Sequence, residues 1–113
     1  MNNRLPSHIE VTALLRMVQS QGGFSMLLHR GDREQGAILL TIRTFAGASS
    51  ICERLPQATG PARWSVINPT DIQTDQSLNE YLNRRVAQDP DLWTIELTVP
   101  EVERFVSDLS RQT

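Results

Sequence analysis

Two prolines, Pro90 and Pro100, bracket the stretch DLWTIELTV. Within it Trp93, Ile95, Leu97 and Val99 alternate with Thr94, Glu96 and Thr98. Polarity that alternates residue by residue fits a strand with one buried face and does not fit a helix. Pro90 disfavours helical geometry at Asp89, so a helix arriving from the N-terminal side ends there. Pro100 suits the first turn of a following helix, where its missing amide leaves no bond unmade. The stretch therefore predicts helix, turn, strand and helix in succession, and the other elements must be arranged around that strand.

Upstream, Ser7 and Glu10 have the spacing of a reciprocal capping box, and Val11, Leu14, Leu15 and Val18 recur at helical spacing. They predict a helix over about 8–21, stopped by Gly22 and Gly23. Phe24, Met26 and Leu28 alternate as in a strand, and residues 37–42 form a second, almost wholly apolar one. These two are expected to pair as an antiparallel hairpin across RGDREQG, a long loop for that purpose. ICERL and RWSVIN read as two weaker strands separated by the turn-rich PQATGPA. A polar connector over 69–76 precedes a helix with Leu78, Tyr81, Leu82 and Val86 on one face. Val102, Phe105, Val106 and Leu109 give the last helix its apolar face.

The predicted fold class is α+β: a mainly antiparallel sheet of about five strands packed with three helices, in the order α-β-β-β-β-α-β-α. Residues 1–113 read as a single domain. Consecutive strands favour a meander with the helices on one face. The expected core includes Leu14, Leu15, Leu40, Ile42, Leu82, Trp93, Ile95 and Phe105. Residues 37–42 are apolar on both sides, more than three helices on one face would cover, and this predicts a homodimer.

Composition excludes several chemistries. The net charge of -2 asks for neither nucleic acid nor an anionic membrane. All eleven basic side chains are arginine. With no lysine, the chain has no Schiff-base nucleophile, pyridoxal-phosphate anchor or phosphate-loop lysine. Cys52 is the only cysteine, so no internal disulfide or cysteine zinc site can form, and it reads as a small core hydrophobe. His8 and His29 have no metal-ligand spacing, and no G-x-S-x-G elbow or dinucleotide-binding glycine loop is present. RGD at 30–32 reads as a turn. The opening MNNRLPSHIE lacks the apolar segment of a signal peptide, and no apolar run reaches membrane-spanning length. The expected location is the cytoplasm, with no metal, no cofactor and no catalytic residues.

The one concentration of candidate site residues is Arg84, Arg85, Asp89, Asp91 and Glu96 around Trp93. Asp89 stands where a helix C-terminus repels anions, and such local misfits gather at functional sites. One reading is a polar pocket whose arginines bind an anion or whose carboxylates bind a partner's arginine. The other is architecture: Asp and Pro form turns, Asp91 bonds backbone amides, and Trp93 is core.

SHIEVTALLRMVQSQGGF, the GD and GA around the first turn, and YLNRRVAQDPDLWTIE together resemble a bacterial domain-of-unknown-function family, number fourteen ninety-one. The resemblance covers nearly the whole chain, with DPDLW and Glu96 its most specific part. It implies a fold unit and no activity, substrate or cofactor. The expectation is a non-catalytic binding or self-associating module with a homodimer or protein partner. The alternative is a small-anion-binding protein or minor enzyme using the arginine and aspartate turn at 84–91.

Overall fold

A computed structural model describes residues 5–69 and 72–111. Residues 1–4, part of the stretch read for a signal peptide, and residues 70 and 71 of the polar connector lie outside them. The elements are α1 (Ser7–Ser20), β1 (Phe24–His29), β2 (Ile38–Thr44), β3 (Ser49–Leu55), β4 (Arg63–Val66), α2 (Asp75–Gln88), β5 (Trp93–Val99) and α3 (Val102–Arg111). The fold is α+β, with the elements in the predicted order.

The strand order across the sheet is β1-β5-β2-β3-β4. Strands β2, β3 and β4 form the expected antiparallel meander. The expected hairpin of β1 and β2 does not form. β5 lies between them, antiparallel to β1 and parallel to β2. The loop that looked too long for a hairpin instead crosses an inserted strand, a span of two strand spacings or about 10 Å. It also grips the start of that strand: Asp32 N–H donates to Asp91 O at 2.9 Å, and Trp93 N–H donates to Ala37 O at 2.8 Å.

The helices occupy both faces, not one. α1 and α3 cover the face formed by Ile38, Leu40, Ile42, Cys52, Trp64, Trp93, Ile95, Leu97 and Val99. α2 covers the other, packing Leu78 and Leu82 on Leu39, Ile51 and Leu92. This arrangement explains the doubly apolar β2: even residues face α1 and α3, and Leu39 faces α2. Full burial of each Leu or Ile contributes about 1.5–3 kcal/mol. Of the expected core, all are buried except Leu15, which is half-buried against the same cluster.

The expected capping box at Ser7 is also absent. Pro6 precedes α1 with no side-chain cap. The loop before β2 satisfies the helix start instead, with Glu34 O accepting from Ser7 N–H and Arg33 O from His8 N–H. Ser7 is buried and its Oγ donates to Gly36 O at 2.6 Å. Glu10 is drawn away by Arg54 of β3, which it binds through both carboxylate oxygens. Arg54 also stacks 4.6 Å over Trp64. A true capping box occurs at α2, between Thr74 and Ser77.

Candidate functional site

The turn at Asp89–Asp91 is built into the fold through its backbone. Leu92 N–H donates to Asp89 O at 3.0 Å, and Asp91 N–H donates to Asp89 Oδ1 at 3.2 Å. The amide-binding carboxylate is thus that of Asp89, not the expected Asp91. Asp91 contributes its carbonyl, which the loop of residues 30–37 approaches so closely that a Cβ at Gly31 or Gly36 would collide with it. Glycine is required at both places by space. His29 Nδ1 donates to Leu92 O at 2.8 Å, and Trp93 Nε1 donates to Asp32 O at 2.6 Å.

The charged candidates do not converge on that turn. Asp89 and Asp91 are exposed. Arg85 turns toward β3, where Nη1 and Nη2 bind the two Glu53 carboxylate oxygens at 2.9 and 2.6 Å. The same guanidinium donates to Tyr81 Oη at 2.8 Å. The Glu53 bond holds the Arg85 pKa above its ordinary value, so this cation is permanent and pinned. Arg84 is exposed, with its guanidinium 6.0 Å from the Tyr81 ring. Glu96 faces α2's side of the sheet, as alternation requires, and binds Arg43 Nε at 3.0 Å. Arg43 also reaches Asp75 at 3.2 Å and Ser49 at 2.9 Å, and its pKa is raised chiefly by the Glu96 bond. These two clusters tie α2 and its N-terminus to the sheet.

Other chemistry is equally dispersed. Among the described residues, no three His, Cys, Asp or Glu side chains converge to hold a metal. Cys52 is buried, and burial pushes its thiol up to about 12, where it stays protonated at neutral pH. A shallow groove of about 260 Å³ lies between the ends of α1 and α3, lined by Met17, Gln21, Phe105, Asp108 and others. That is below the usual range of small-molecule sites. Asp108 there is paired with Arg111 at 2.6 Å.

The feature with no structural explanation is β1. Phe24, Met26, Leu27 and Leu28 are exposed, as is Phe45 just beyond β2. The Phe24 and Phe45 rings meet edge-on, 6.3 Å apart at 72°. Phe24 and Met26 lie opposite Thr98 and Glu96 and therefore on the face covered by α2. α2 packs over β2 and β3 and leaves the β1 end of that face open. Sequence alternation marked Phe24, Met26 and Leu28 as a strand face but carried no sign that nothing covers it.

The fold and this surface define a small α+β protein with a mixed five-stranded sheet between helices and an exposed apolar edge. The chain belongs to the family described as "Protein of unknown function (DUF1491)", which it matches over residues 5–107. It is similar to the crystal structure of a DUF1491 family protein from Caulobacter crescentus CB15, with 25% identity and a TM-score of 0.75 over 87% of this chain and 91% of that one. It is also similar to the solution structure of protein Atu0922 from A. tumefaciens, with 26% identity and a TM-score of 0.72 over 88% and 89% of the two chains. An NMR structure of a DUF1491 family protein from Caulobacter crescentus CB15 matches with 26% identity and a TM-score of 0.72, over 86% and 87%. No curated protein matches the chain.

Proposed function

We propose that this is a non-catalytic binding module of the cytoplasm that associates with itself or with a protein partner. The observation that carries the reading is the exposed apolar strip of Phe24, Met26 and Leu28 on the edge strand β1, with Phe45 against Phe24. Contiguous apolar surface of this kind marks interaction sites in soluble proteins. The charged residues offer less support for an anion site, because an anion at Arg85 would have to displace Glu53. No helix among the described residues is long and apolar enough to cross a membrane.

The test combines solution mass with affinity capture of the full chain from its native cell. A mass above the monomer, or a partner retained by the parent and lost on charging the β1 strip, is the expected result. A monomer at every concentration that also retains no such partner would end the proposal.

A further inference from the structure

The backbone of β1 shows which groups its open side offers. β5 pairs in parallel with β2, and Trp93 N–H donates to Ala37 O. In a parallel ladder the same residues direct both N–H and C=O to one neighbour. Trp93, Ile95, Leu97 and Val99 therefore turn their polar backbone toward β2, and Thr94, Glu96 and Thr98 turn theirs toward β1. Thr98 and Glu96 lie opposite Phe24 and Met26, so these two residues bond to β5. Ser25 and Leu27 then point their N–H and C=O groups out of the sheet.

The two edges of the sheet differ. β4, on the far side, is four residues long and begins with Arg63, and shortness and charge both discourage pairing. β1 reads FSMLLH, with no Asp, Glu, Lys, Arg or Pro. Its one irregularity is the register shift between Leu27 and His29, which limits the regular edge to its first residues.

We infer that two copies of the chain associate by pairing their β1 strands antiparallel about a two-fold axis at Met26, joining both sheets into one. The inference rests on the self-association reading above and gives it a place. A second copy fits because the strip is complementary to itself. The axis at Met26 sets Ser25 opposite the partner's Leu27, and the outward groups of these residues form four hydrogen bonds across the seam. It sets Met26 opposite the partner's Met26 and brings Phe24 beside the bulged end of the partner's strand at Leu28, so the contacts are apolar. The axis is perpendicular to the sheet, so each strip continues on the same face as its mate.

The area limits the dimer to a weak one. Phe24 is 68% exposed, Phe45 58%, Met26 57%, Leu28 42% and Leu27 36%. For side chains of about 150–250 Å² each, that leaves on the order of 500 Å² of apolar surface per chain. Two copies would bury at most about 1,000 Å², the lower bound for a specific interface and the size class of weak, concentration-dependent association.

Sedimentation velocity from about 5 to about 500 µM tests the inference in this affinity range. The parent is compared with Met26→Lys and, as a control on the other edge, Val66→Lys; both sites are exposed and the substitutions leave the core untouched. The expected result is a monomer–dimer equilibrium weakened at least about tenfold by Met26→Lys and unchanged by Val66→Lys. Amide hydrogen exchange on the parent gives a readout that needs no variant. Ser25 and Leu27 amides become protected as concentration rises, while Phe24 and Met26 are protected throughout. A dimer that ignores Met26→Lys, or leaves the Ser25 and Leu27 amides exchanging freely, overturns this placement but not self-association. A parent monomeric over the whole range overturns both. Protection of those two amides only on adding an extended peptide overturns the second copy in favour of a foreign strand.

Discussion

Trp93 is the residue on which three parts of the molecule meet. It is 2% exposed, its indole N–H is satisfied by Asp32 O, and the Arg30 guanidinium lies 5.9 Å from the ring. Trp93→Ala removes the packing and leaves a carbonyl without its donor, so it should cost about 3–5 kcal/mol. Urea unfolding measures this, and a midpoint equal to the parent's would exclude the core role. Cys52 makes a pH-dependent contribution. Its thiol titrates at about 12 in the folded chain, above the ordinary value of 9.0. Above pH 9 the unfolded state loses this proton first, so the unfolded state gains and stability falls until pH 12. The loss approaches about 1.4 kcal/mol per pH unit in that window, in addition to other titrating groups. Unfolding free energies of the parent and Cys52→Ala, compared between pH 8 and 10, should differ in slope accordingly.

Among elements, the helix starts are the most instructive. α2 is capped locally: Ser77 N–H donates to Thr74 Oγ1 at 3.0 Å, and Thr74 N–H donates to Ser77 Oγ at 3.0 Å. Thr74→Ala should cost about 1 kcal/mol, seen as a lower melting temperature with an unchanged fold. A variant melting with the parent would show that the cap adds nothing to α2. Ser7 and Glu10 match the usual box in sequence, whereas at α2 a serine, Ser77, stands where Glu or Gln is usual. Spacing identifies residues that can cap, and tertiary competition decides which do. At α1 the loop carbonyls reached the orphan amides first, and Arg54 took Glu10.

On the scale of the molecule, β5 and β2 each have a strand on both sides, and β2 also has a helix layer on each face, whereas β1 and β4 are edges. Amides of β2 and β5 should therefore exchange only by global unfolding. In dilute solution the outward amides of β1 and β4, which have no strand partner, should exchange without any opening, several orders of magnitude faster. β5 amides exchanging as fast as those of β4 would contradict a β5-centred sheet. The sheet order also separates the candidate residues. Arg85 binds Glu53 of β3 and Glu96 binds Arg43 of β2, so residues close in sequence to the Asp89 turn serve ion pairs elsewhere.

The sequence by itself determined the elements of this protein, because their causes are local. Pro90 stops α2, alternation from Trp93 to Val99 makes β5, and helical spacing gives α1 and α3 their buried stripes. It also pointed to burial of β2 on both sides, since Ile38, Leu39 and Leu40 are apolar in succession. Only the tertiary structure decided which strands are neighbours, which face each helix covers and which apolar residues remain outside. Pairing is a choice among edges distant in the chain, settled by the total surface buried, and no single segment encodes it. Phe24 and Met26 show the consequence: their alternation resembles that of Ile95 and Leu97, yet one pair closes the core and the other faces solvent, because α2 reaches β2 and β3 but not β1.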